Sequence, residues 1–323
     1  MPLRSRFGLF GLAVILLIAG CADGGDAQSR SIQVRLVTPV PPTATATPVP
    51  EPTATATPVE EPELVLSATE LFQGGTLLVS ITGGVEAGTA EFLGRTYGLI
   101  QGARSKYTLL GVGVADPTGV YPVTVTLVLP DGSTRTFARD ITVLPTEWTV
   151  DYIEFVASEG DPILDPQARA DEAALLAETL ALETLEKLWA GAWLQPVQGV
   201  LSGRFGEQRS FNGGPVGGHH GGTDYAADEG APVIATSGGR VVVARQLAVR
   251  GNMVIIDHGG GVLSGYAHLS TFAVAEGQLV DAGQLIAFVG STGLSTGAHL
   301  HWEMSVHGIL VDGLRFIDGS NGF

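Results

Sequence analysis

From Pro196 to its carboxy terminus the chain is cut by glycine into apolar runs too short to be helices. The runs 233–235, 240–244, 252–256, 262–268, 285–289 and 300–306 are rich in valine, isoleucine and leucine, and glycine-containing turns separate them. Runs of four to eight such residues between turn signals read as strands. The pattern predicts an antiparallel, twisted β-sheet domain over residues 196–323, holding all seven histidines of the chain. Forty-five glycines and a 45% hydrophobic content fit turn-rich β structure better than a helical bundle, so the whole chain is expected to be mainly β.

Four further segments precede this domain. Arg4 and Arg6 lead an apolar run over residues 7–19, followed by Gly20 and Cys21. A permanent membrane span needs about 20 apolar residues. A basic start, a short apolar run and small residues instead make residues 1–20 a signal peptide. Ile18-Ala19-Gly20-Cys21 resembles the bacterial lipobox, which implies cleavage before Cys21, lipidation of Cys21 and a membrane-anchored, extracytoplasmic lipoprotein. Residues 21–62 contain Pro-Thr-Ala-Thr-Ala-Thr-Pro-Val-Pro nearly twice and cannot bury a core, so they read as a disordered linker. Fully extended, that linker reaches on the order of 100 Å.

Residues 63–147 read as short strands with a strong turn signal at Pro130-Asp131-Gly132-Ser133, which predicts a small immunoglobulin-like β-sandwich acting as a spacer. Residues 148–195 read as a helical connector. Asp165 caps it, Pro166 occupies the first helical position, Leu175, Leu182, Leu185 and Trp189 share one covered face, and Leu176 and Leu180 fall off it, so cover on two sides is expected. Glu172, Glu183 and Glu186 are expected on a solvated side. A net charge of −16 argues against nucleic acid as a partner. With a single cysteine there is no intrachain disulfide and no cysteine-rich zinc site.

Chemistry concentrates in the histidines. In a strand, residues two apart share a face, so His299-Leu300-His301 presents two imidazoles side by side, a usual beginning for a metal site. His220-Gly-Gly-Thr-Asp224 offers an imidazole and a carboxylate across a loop, and Tyr266-Ala-His268-Leu adds a further imidazole. Spacing alone leaves open which of these bind. His219 reads as a neighbour of His220, His258 as a hairpin turn residue and His307 as a surface residue. Glu303, on the face of His301, reads as a buried ion-pair or hydrogen-bond partner.

Residues 198–315 resemble the lysostaphin/LytM-type zinc metallopeptidase family, which cleaves peptide bonds in bacterial peptidoglycan. The pieces that carry the likeness are Ser202-Gly-Arg-Phe-Gly206, His220-Gly-Gly-Thr-Asp224, Gly230-Ala-Pro-Val233, Asp257-His-Gly259, Tyr266-Ala-His-Leu269 and Gly297-Ala-His-Leu-His-Trp-Glu303. The resemblance implies one Zn2+ held by His220, Asp224 and His301, with His268 and His299 as the catalytic pair. It implies endopeptidase action on stem peptides or cross-bridges. Its alternative is a non-catalytic, wall-binding regulator of other peptidoglycan hydrolases, with cell-wall regulatory proteins as candidate partners. Some members carry a tyrosine upstream of the first ligand, and the stretch 211–218 has none. Residues 276–286 also resemble the hairpin of biotinyl and lipoyl carriers, but no lysine follows Lys187 to carry the group.

Overall fold

The computed structural model describes residues 60–320, so the expected signal peptide, Cys21 and nearly all of the expected linker lie outside the described residues. What is described falls within one compact unit, Thr57–Phe323.

The first part is a sandwich of two sheets. One sheet orders Glu63–Leu66, Thr76–Thr82, Lys106–Gly111 and Ile100–Gln101; the other orders Glu70–Phe72, Thr134–Leu144, Gly119–Val128, Ala87–Phe92 and Arg95–Gly98. Alternation explains the core between them. Leu77, Val79 and Ile81 point inward from one sheet, and Val123, Val125 and Leu127 from the other. The predicted hairpin joins Gly119–Val128 to Thr134–Leu144, with the Asp131 carboxylate accepting from the Ser133 amide at 2.9 Å.

The second part is a 10-stranded antiparallel sheet. Its main path runs Val200–Gly203, Thr223–Ala226, His299–Val306, Val262–Phe272, Asn252–Gly259, Gly239–Gln246 and Leu279–Val280. The predicted runs are thus strands. The two parts share apolar packing, because Ile100, Tyr107 and Leu109 of the sandwich join the core that holds Val306 and Val311. His307, expected at the surface, lies in this contact instead. Its Nδ1 is 2.7 Å from Glu183 and its Nε2 3.2 Å from the Thr108 hydroxyl, and its ring packs 4.9 Å from that of Tyr97.

The connector departs most from expectation. Its helix spans Pro166–Leu180, and the Asp165 cap holds, accepting from the Gln167 amide at 2.8 Å. The buried face, however, is Glu172, Leu176 and Thr179. Leu182 and Leu185 lie past the helix and are exposed, whereas Trp189 and Trp193 are buried in the core of the large sheet. After Leu180 the chain becomes a strap along that sheet. The Leu188 amide donates to the His258 carbonyl, Gly260 to Thr184, and Leu194 to Thr236. Sheet partners for its backbone outweigh the helical period of its leucines. The strap passes so close that a side chain at Gly259 (φ 80°) would collide with the Glu186 carbonyl. Glu172 is therefore not solvated, and His258 is a fully buried strand residue rather than a turn residue.

Candidate metal centre

Register assembles the site. Thr223–Ala226 pairs antiparallel with His299–Val306, so that Asp224 opposes His301 and Ala226 opposes His299. Opposed residues share a face, which places the Asp224 carboxylate beside both histidines. His220 enters from the loop before that strand. The loop crosses the sheet at Gly222, where any side chain would strike the Trp302 carbonyl. His268 comes from Val262–Phe272, in which Ala267 opposes His301. Its left-handed φ of 59° breaks the strand's alternation, and its ring lies 4.8 Å from that of His299 and 5.7 Å from that of His301. A non-glycine residue in this region is costly by roughly 1 kcal/mol or more and persists where surrounding bonds hold it. Here the His268 amide donates to the Arg250 carbonyl at 2.9 Å.

The hydrogen bonds define which nitrogens are free. His220 Nδ1 is 2.8 Å from the Arg204 carbonyl, His268 Nδ1 2.8 Å from that of Thr292, and His299 Nδ1 2.8 Å from that of Gly297. A carbonyl only accepts, so each Nδ1 carries a proton, and in the neutral ring Nε2 is then the bare nitrogen. His301 is turned the other way. Its Nε2 is 2.9 Å from Glu303, which leaves Nδ1 bare. His220 Nε2, His301 Nδ1 and Asp224 Oδ1 then converge at separations of 2.9, 2.7 and 3.0 Å. Among the described residues these three form a group able to hold a metal ion.

Three bare acceptors this close repel one another unless a proton or a metal cation lies among them. Zinc bonds of about 2.0–2.1 Å in a tetrahedron put ligand atoms roughly 3.3 Å apart, so the trio would have to open by a few tenths of an ångström to hold that ion. The donor set, two imidazoles and a carboxylate each held from behind by a second partner, is the kind that zinc takes. Charge agrees. Burial alone pushes His301 down, but the carboxylates of Asp224 and Glu303 beside it outweigh burial and raise its pKa. Burial opposes ionisation of Asp224 as well, yet the His220 and His301 rings beside it hold its pKa well below the carboxylate range. Burial and the neighbouring rings push His268 down to about 3, and burial lowers His220 as well, so His301 alone of these three is raised.

The site opens on a cleft of about 450 Å³ whose lining includes Asp224, His268, His299, Arg209, Tyr152 and Phe155. Arg209 Nη2 donates to Asp224 Oδ2 at 3.1 Å and so turns Oδ1 toward the two histidines. One wall is the connector strand Val150–Ile153, which pairs in parallel with Gln208–Phe211. Arg209 and Tyr152 were not singled out by sequence, and no short-range pattern marks either. Arg209 falls between two landmarks, three residues past the Ser202–Gly206 motif and 11 before His220, and belongs to neither.

Fold and site together define a β-sheet protein with a three-donor cluster able to hold a metal ion, beside two further imidazoles. Residues 218–313 match the profile of Peptidase family M23, and this part of the chain is a domain of that family. The match agrees with the resemblance carried by the motifs. Over 96 residues the chain is 44% identical to the peptidoglycan DD-endopeptidase ShyB of Vibrio cholerae, covering 30% of this chain and 22% of that protein. It is 40% identical over 127 residues to the murein hydrolase activator NlpD of Salmonella dublin, covering 39% of this chain and 31% of the relative. The chain thus spans between a fifth and a third of the length of these curated relatives. A crystal structure of a peptidase M23 from Pseudomonas aeruginosa superposes with a TM-score of 0.58 at 22% identity, covering 78% of this chain and 96% of that one. That likeness is one of fold and reaches beyond the family domain.

Proposed function

We propose that the chain is a zinc-dependent endopeptidase that hydrolyses peptide bonds in the stem peptides or cross-bridges of peptidoglycan. One observation carries the reading. Asp224 of the three-donor centre lines the cleft, and two further imidazoles, His268 and His299, line it beside that carboxylate. His220, Asp224 and His301 would hold the ion. When bound, zinc supplies Lewis acidity, making water acidic enough to attack near neutral pH and polarising the scissile carbonyl. His268 and His299 are placed to take the proton of the attacking water and return it to the leaving amine. Arg209 keeps the Asp224 carboxylate oriented, and Glu303 fixes the tautomer of His301. The family domain and the relative named as a DD-endopeptidase support this substrate class. Lipidation at Cys21 would tether the enzyme outside the cytoplasm, with the Pro/Thr-rich linker giving it reach into the wall.

The relative named as an activator favours a second reading, a wall-binding protein that regulates other hydrolases. Both are tested with the chain lacking residues 1–21, incubated with isolated cell wall. The expected result is release of soluble muropeptides that stops on chelation, returns with zinc and falls to background in His301→Ala. Release that survives chelation or the substitution refutes the mechanism. Wall binding without release, together with stimulation of an added hydrolase, establishes the regulator.

A further inference from the structure

We infer that Glu172, on the connector helix, is a positioning residue for His301, acting through Arg250 and Glu303; the inference rests on the metal-centre reading above. Glu172 lies outside residues 218–313, the part that matches the family. Its side chain is only 3% exposed, on a helix whose other acidic residues face solvent. A buried carboxylate is costly unless its oxygens are bonded. Here they are. Oε2 accepts from the Val249 amide at 2.5 Å, and Oε1 accepts from the Arg250 amide at 3.3 Å and from Arg250 Nη1 at 3.2 Å.

The guanidinium continues the chain of contacts. Arg250 Nε and Nη2 donate to Glu303 Oε1 at 3.0 and 2.7 Å, and the same oxygen accepts from His301 Nε2 at 2.9 Å. The Arg250 carbonyl, meanwhile, accepts from the left-handed His268. One arginine thus fixes a metal-binding histidine through its side chain and a cleft histidine through its backbone. A planar guanidinium is held in one orientation when anions occupy two of its edges. Glu303 supplies one anion and Glu172 the other.

A plain tie between helix and sheet does not account for the arrangement. Leu176, one turn on, already seats the helix among Val243, Met253, Ile255 and Leu263. A buried ion pair stabilises a fold less than apolar residues of the same volume would. What the carboxylate adds is a fixed Arg250, and so a Glu303 aimed at His301.

The test compares Glu172→Gln with Leu176→Ala in the chain lacking residues 1–21. Zinc affinity is read by competition with a chromophoric chelator, folding by the melting temperature of metal-free protein, and turnover as kcat and KM on a soluble muropeptide. Removing a direct partner of a ligand typically costs 10–100-fold in affinity. One step further out, Glu172→Gln is expected to weaken zinc binding about 3- to 10-fold and to lower kcat with KM unchanged. Leu176→Ala is expected to lower the melting temperature while leaving zinc affinity within about twofold. Zinc affinity within twofold of wild type in folded Glu172→Gln overturns the proposal, as does an equal loss in Leu176→Ala. If Glu172→Gln does not fold, Glu172→Asp, which keeps the charge but shortens the reach, is judged by the same thresholds. Wild type that binds zinc but cleaves nothing defeats the peptidase reading while the affinities still decide the role of Glu172. Wild type that binds no zinc defeats both.

Discussion

Acid should unfold this protein partly through one buried histidine, His258. It is fully buried, its Nδ1 is 2.7 Å from the Gly238 carbonyl and its Nε2 2.7 Å from the Ser264 hydroxyl, which in turn lies 2.9 Å from the Tyr266 hydroxyl. The ring of Trp193 covers it at 4.9 Å. Those partners suit a neutral ring, and burial pushes its pKa down to about 4 from the ordinary 6.5. In the unfolded chain the imidazole titrates near 6.5, so between these values the unfolded state binds a proton that the folded state excludes. Stability is therefore fully present above about pH 6.5 and is lost as pH falls towards 4. Linkage gives a loss of about 2 kcal/mol between pH 7 and 5, and about 3 kcal/mol by pH 4. The assay is urea unfolding of chelator-treated wild type and His258→Gln at pH 7, 5 and 4. The variant is expected to be less stable at pH 7 by about 1–3 kcal/mol, from imperfect replacement of a packed ring. That gap should then shrink by the amounts above, because every other titrating group is common to both. A gap that stays constant from pH 7 to 4 refutes the reasoning.

The strap gives two further tests. Gly259→Ala combines a left-handed backbone with a collision against the Glu186 carbonyl, and should cost about 3 kcal/mol or more in urea unfolding, with tryptophan emission shifted to the red as the strap lifts. Unchanged stability and emission would show that the strap does not depend on this close approach. Trp193→Ala, which empties a site 5% exposed against Phe316 and His258, should cost about 3–5 kcal/mol by the same measurement. A loss below about 1 kcal/mol would mean that the tryptophan contributes little to the core.

Local pattern determined a good deal here. Alternation and glycine turns are properties of neighbouring residues, so the strands of residues 196–323 and the hairpin around Asp131 were legible. Asp165 and Pro166 marked the start of the helix for the same reason. The three donors of the centre were legible as residue types, two of them four residues apart and one in a His-x-His strand, and the motifs' resemblance to a known family joined them. Spacing alone did not. Their convergence depends on the register that sets Asp224 opposite His301 across 77 residues of chain.

Tertiary structure decided what no local pattern encodes. The leucines at 182 and 185 continue a helical period, yet the backbone there finds partners on the sheet and leaves the helix. His307 looks like a strand-end surface residue until the sandwich closes over it. Glu172 reads as one more acidic residue on a helix; its partners at 249 and 250 are more than 75 residues away and become neighbours only when the helix docks. A sequence states which groups are available. Which acceptor meets which donor, and which imidazole nitrogen is left bare, is fixed by contacts that form only when distant strands pair.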